Sequence, residues 1–185
     1  MKSGLMKIQY ENTLKDLVTF SMYHLENSPS FRKTCISLQL VFPIALFLLL
    51  LPSFIKSSVT EGITLILPLI LLWIYFVPKY LKWKVKKQSS KFYREVENKG
   101  LIGKHEIIIT LNELIEKTEY CETKTIWEAV EKVISTKESL YIYISAVTAH
   151  VIPKNYFLDH STCQIFFDTA TSSAFVIIVN PHPEH

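Results

Sequence analysis

At 185 residues the chain is long enough for one ordinary domain plus an addition, not for two full domains. Apolar residue types make up 49% and charged types only 20%, with a net charge of +3, which excludes a disordered or collagen-like chain. The four glycines form no Gly-x-Gly or Gly-Lys-Ser/Thr string, which excludes the standard glycine-rich phosphate loops.

Residues 1–34 open with an extended stretch, Lys7-Ile8-Gln9-Tyr10-Glu11, and continue as an amphipathic helix. Thr13 is its expected cap, Leu14, Leu17, Val18 and Leu25 fall near helical spacing, and Asn27-Ser28-Pro29 ends it. The ordered pattern begins at Met6, a second candidate start beside Met1.

Residues 35–81 read as a transmembrane hairpin. Cys35 to Ile55 is a run of 21 residues without a formal charge, enough at about 1.5 Å per residue to cover a hydrocarbon core. A second span, about 62–81, starts with the uncharged run Gly62–Val77 and carries Trp73, Tyr75, Tyr80 and Trp83 near its end, where interfacial aromatics belong. Pro43, Pro52 and Pro68 are acceptable there as kinks. Arg32 and Lys33 precede the hairpin, and Lys79, Lys82, Lys84, Lys86, Lys87, Lys91 and Arg94 follow it, whereas the Lys56–Glu61 connection carries one Lys and one Glu. The Lys/Arg excess places both termini in the cytoplasm of a cell-membrane protein. Cys35, Cys121 and Cys163 form no disulfide framework.

Charge then divides the rest. Residues 79–103 hold eight basic and two acidic side chains, net +6, and residues 104–185 hold six basic and eleven acidic, net −5. The stretch 82–103 is therefore a basic juxtamembrane linker whose lysines contact anionic lipid, each gaining roughly 1 kcal/mol near the leaflet. Nucleic acid is not an expected partner, because the domain beyond is acidic.

Residues 104–185 read as mostly strands: Ile107–Leu111, Leu114–Tyr120, Thr125 to Ile134 around Trp127, Leu140–Ile144 and Ala149–Pro153, the spacing of an antiparallel sandwich or barrel. Ser161-Thr162-Cys163-Gln164 fits a capping box opening a helix with Ile165, Phe166 and Phe167 on its apolar face. Phe175–Val179 reads as a further strand or as more helix.

With these residues in view, the chain resembles the YcxB-like family of small bacterial membrane proteins. The resemblance rests on the leader Tyr10–Pro29, on two spans with a basic exit, and on Ile126-Trp127 to Val133, Tyr141-Ile142-Tyr143-Ile144 and Ile152–Phe157. It implies an α+β chain in which a pleckstrin-homology-like (PH-like) curved seven-stranded barrel or sandwich is closed by a C-terminal helix. Lys7–Glu11 would complete its sheet from across the hairpin, and Glu128–Val133, helical by composition, becomes strand. Phe175–Val179 departs from the family pattern, and the family brings no catalytic residues.

The chemistry-bearing residues point the same way. His160 and Cys163, with His182 and His185, lack the paired spacing of a metal site, so no metal or cofactor is expected. Cys163, at a helix start, could have a depressed thiol pKa, but a half-buried core residue is the favoured reading. Glu113, Glu116, Glu119 and Glu122 read as a solvated face with Lys117 and Lys124. Asp159 and Asp168 are single carboxylates. Trp127, with Tyr141, Tyr143 and Phe157, belongs either to the domain core or to a ligand-binding mouth. The expected role is binding a protein or lipid at the membrane, with a protein partner or a second copy of the chain, and not catalysis. The rivals are self-protection against membrane-active peptides, a membrane-bound enzyme, and an oligomeric module packed through Ser37, Ala45 and Ser53.

Overall fold

The structure, a computed structural model, describes residues 6–56, 59–95 and 100–174, with side chains outside 50–65. The expected strand Phe175–Val179, His182 and His185 lie outside the described residues, as does part of the Lys56–Glu61 connection. The chain divides into two compact units, Ser21–Ser89 and the combination of Met1–Phe20 with Ser90–His185.

The first unit is built on two long helices. Helix α1 (Leu14–Glu26) opens with a reciprocal cap: the Asp16 backbone N–H donates to Thr13 Oγ1 (3.3 Å) and the Thr13 N–H to Asp16 Oδ2 (2.9 Å). Ser28-Pro29 both ends α1 and starts α2 (Pro29–Lys56), because proline disfavours helix before itself but suits the first helical position. The helix therefore begins six residues ahead of the uncharged run. Helix α3 (Val59–Arg94) runs unbroken through Pro68 and Pro78, so the expected linker 82–103 is helical as far as Arg94. Contacts pair Glu26 with Lys82 and Gln39 with Ile74, one index rising as the other falls, as in an antiparallel hairpin.

Pro78 has no N–H to give the carbonyl four residues back, which is that of Ile74. Gln39 Nε2 donates to this Ile74 oxygen (2.9 Å), and Trp73 Nε1 donates to the Leu38 carbonyl (3.1 Å) while its ring stacks on Phe42. The apolar side chains point outward: Leu48, Leu49, Leu71 and Leu72 are more than half exposed. Both helices are long and apolar enough to cross a membrane.

Among the described residues the second unit holds seven strands, the first half of α1 and a C-terminal helix. Strands β1 (Met6–Asn12), β2 (Gly103–Ile109), β3 (Glu113–Thr118) and β4 (Glu122–Ile126) form one antiparallel sheet in that order. Strands β5 (Lys132–Ser135), β6 (Ser139–Tyr143) and β7 (Ala149–Pro153) form a second. Strand β1 pairs with β2 from Met6↔Ile109 to Asn12↔Gly103, across the whole intervening hairpin. Segment 1–34 is therefore split, its strand and half of α1 belonging to the β unit.

Three turns repeat one device. Thr110, Thr118 and Thr136 each accept on Oγ1 the N–H of the residue three further on, which fixes the register of the flanking strands. Gly103, with φ +119°, turns the chain into β2 in a conformation that side-chain-bearing residues rarely adopt.

Three expectations need correction. The sheets do not close a barrel: β1 lies beside β7, but among the described residues no ladder joins β1 to β7 or β4 to β5. The expected strand Thr125–Ile134 is interrupted by a 3-10 turn, Trp127–Ala129, which carries the chain from one sheet to the other. Helix α4 (His160–Ala174) packs Cys163, Phe166, Phe167, Ala170 and Ala174 into a shared core with Ile107, Ile109, Leu114, Ile142 and Ile152. Its cap is Asp159, whose Oδ1 takes the Thr162 N–H (2.6 Å), not the expected box at Ser161.

Candidate functional site

The basic residues after the hairpin divide by helical spacing. Lys84, Lys87, Lys91 and Arg94 recur every three or four residues along α3, one face of a helix with 3.6 residues per turn, and Lys79, Lys82 and Lys86 fall on a different face. Lys82 is bound to Glu26 (2.6 Å), Lys79 lies over the Tyr75 ring, and Lys87 lies 5.2 Å from the centroid of the Trp83 ring. Lys84, Lys86, Lys91 and Arg94 make no ion pair or hydrogen bond among the described residues.

The aromatic candidates are core. Trp127 is 4% exposed and donates its Nε1–H to the Thr110 carbonyl (3.0 Å), so it pins the β2–β3 turn from inside the sandwich. Tyr141 and Tyr143 are buried on the opposite face of their sheet, against Phe20 of α1 (ring centroids 5.2 and 5.8 Å). Phe157 packs edge-on to Phe166 of α4, at 5.3 Å.

Burial pushes the Cys163 thiol up, against a smaller downward pull from Lys154, so the helix start does not activate it. Asp159 is occupied as the α4 cap, and Asp168 accepts from Gln164 on its own helix (2.9 Å).

The cluster that the sequence reading missed involves Glu116, which does not belong to a solvated face. Glu116 on β3 accepts from Tyr10 Oη of β1 (3.0 Å) and from His105 Nδ1 of β2 (3.0 Å) on one oxygen, and from His150 Nδ1 of β7 (2.8 Å) on the other. Tyr10 and His105 are directly paired across the ladder, with rings stacked at 5.4 Å. Burial alone would raise the Glu116 carboxyl, but the hydrogen bonds it accepts from the two histidines hold it far below the usual carboxylate range. The Tyr10 phenol is pushed up by burial and then by the charge of Glu116, so it remains a donor.

Periodicity carried the signal for this cluster. His105, Glu116 and His150 each lie two residues from an inward apolar side chain, Ile107, Leu114 and Ile152, so strand alternation turns all three to the core. Glu113 and Glu119 stay at the rim, while Glu122 is the member that pairs with Lys117 (3.1 Å) and Lys124 (3.3 Å). Beside the cluster lies an open hollow of about 810 Å³ bordered by Tyr10, Lys104, His105, Lys117 and Tyr156.

No curated protein and no solved structure matches the chain. One family model does, over a stretch that includes Glu116, Trp127 and His150 but not Tyr10 or His105. Residues 109–162, from the last residue of β2 to the first turn of α4, match the model described as YcxB-like protein, and over that segment the chain is similar to that family.

Proposed function

We propose that the chain is a two-span protein of the cell membrane, with both termini in the cytoplasm, that presents a PH-like module there to bind a protein segment or lipid headgroups. The observation that carries this reading is the seven-residue ladder between β1, before the hairpin, and β2, after it. Strands in one ladder share one aqueous compartment, so the chain must cross the bilayer an even number of times. Two helices with exposed leucines and phenylalanines agree, since soluble surfaces rarely expose so large an apolar area. The lysines flanking both helices favour the cytoplasm as that compartment.

The four-plus-three sheet arrangement with a C-terminal helix supports the PH-like reading. Binding is favoured over catalysis because the groups with chemical potential are engaged: the Cys163 thiol is raised by burial, and both Glu116 oxygens hold donors. The row Lys84, Lys87, Lys91 and Arg94 is suited to anionic headgroups at the leaflet.

Cys121 tests the topology, because it is exposed while Cys35 and Cys163 are buried. The protein should stay in carbonate-washed membranes, and a membrane-impermeant maleimide should label Cys121 only after cells are permeabilised. Release by carbonate, or labelling in intact cells, overturns the reading. Photo-crosslinking from Lys84 and Lys124 in the native membrane tests binding: a discrete protein or anionic-lipid adduct supports it, and featureless crosslinking at both positions removes it.

A further inference from the structure

Glu116 is the point at which the two sheets meet through ionisable groups. Tyr10, His105 and Glu116 stand on neighbouring strands of the four-stranded sheet, and His150 reaches the same carboxylate from the three-stranded one. Both histidines are almost fully enclosed, with side chains 4% and 5% exposed.

The hydrogen bonds dictate where the protons are. An ionised carboxylate only accepts, so each Nδ1 carries a hydrogen and, in a neutral ring, each Nε2 keeps a bare lone pair. Both Nε2 atoms are buried, and among the described residues neither has a hydrogen-bond partner. With Glu116 ionised and both rings neutral, the site holds one negative charge. A first added proton, on either Nε2, brings the site to neutrality and strengthens one carboxylate–imidazole pair. A second proton leaves the site positive and puts two N–H donors where no described residue offers an acceptor, and burial penalises both changes.

We propose that His105, Glu116 and His150 form a proton-operated latch between the two sheets, closed at neutral pH and released when both rings are charged. Release parts β7 from β3 and loosens the module without unfolding the hairpin. The surroundings leave few other groups to take the protons. Thr123 of β4 stands opposite Glu116, and Ile142 of β6 opposite His150, neither of them titratable. Lys154, in the turn after β7, donates to Ser135 (2.7 Å). Glu11, Lys104, Glu106, Lys117 and Glu119 border the outer hollow, and among the described residues none forms a hydrogen bond or ion pair with either ring. Tyr10 keeps its proton throughout.

The test uses the full chain, labelled with ¹⁵N-histidine, in phospholipid nanodiscs between pH 7.5 and 5. Ring ¹⁵N shifts report the protonation of each nitrogen, and hydrogen exchange, corrected for its intrinsic pH dependence, reports protection in Ala149–Pro153. The expected result is Nδ1–H tautomers at pH 7.5 and a loss of protection of about tenfold or more as the second ring charges. Nε2–H tautomers at pH 7.5, charging of both rings without lost protection, or rings that stay neutral to pH 5 would each overturn the proposal. His150→Asn keeps a donor for Glu116 and should flatten the pH response. A response equal to that of the native chain would also overturn it, and the native chain alone decides the matter should the variant fail to fold.

Discussion

The two units satisfy their polar groups in opposite ways. In the hairpin, neutral side chains serve the backbone: Gln39 caps the Ile74 carbonyl that Pro78 leaves free, and Trp73 bonds the Leu38 carbonyl. In the β module, ladders already satisfy most of the backbone, and ionisable side chains serve one another around Glu116. The lesson concerns sensitivity. A neutral amide on a carbonyl does not change between pH 5 and 8, whereas a carboxylate between two imidazoles changes with every proton it gains. The hairpin should be indifferent to pH where the module is not.

The strongest way to probe the contrast is Trp127→Ala, which removes the ring that anchors the β2–β3 turn and leaves a cavity in the sandwich core. It should cost about 3–5 kcal/mol of module stability, read from denaturant unfolding followed by the β-sheet circular dichroism signal, with helix content retained. A loss under about 1 kcal/mol would place the ring outside the core.

Next comes Glu116→Gln, expected to cost about 1–3 kcal/mol because one imidazole N–H loses its acceptor. It also removes an acid limb. The folded-state carboxyl lies below its ordinary value of 4.5, so its contribution is present above that value and fades as pH falls below it. The native module should therefore lose stability progressively below about pH 4.5, and the variant should show a shallower decline. Parallel profiles would mean that the carboxylate does not govern the acid limb.

The smallest effect is expected in the hairpin. Gln39→Leu leaves the Ile74 carbonyl unmet and should weaken helix pairing by about 1 kcal/mol in bilayer, measured by steric trapping, with no dependence on pH. An unchanged pairing energy would show that this oxygen finds another donor.

How much of this was legible depends on the range of the interaction. The two long apolar helices, the Thr13 cap and most strands are written in neighbouring residues, through charge-free runs, capping chemistry and alternation. The break at Trp127–Ala129 was not, because Glu128-Ala129-Val130 reads as helix by composition and as strand by resemblance, whereas the chain must bend there to change sheets. The α4 cap was misplaced by two residues because Ser161 and Asp159 both have capping side chains, and only the fold decides which one meets a free N–H. The Glu116 cluster was legible only in part, since alternation turns each member inward but does not join them. Its histidines lie 11 and 34 residues from the carboxylate, and no spacing rule links them until β7 lies against the first sheet.

The ladder between β1 and β2 also has a consequence for biosynthesis. Gln9 and Glu106, neighbours in the finished sheet, are separated by 97 positions in the chain. At about 5–20 residues per second, the ribosome delivers the second roughly 5–20 s after the first. During that delay β1 has no mate while, on the proposed two-span reading, both helices enter the bilayer. On that reading the module can assemble only when the second helix has returned the nascent chain to the side it left, so completion of the sheet would double as an inspection of correct insertion.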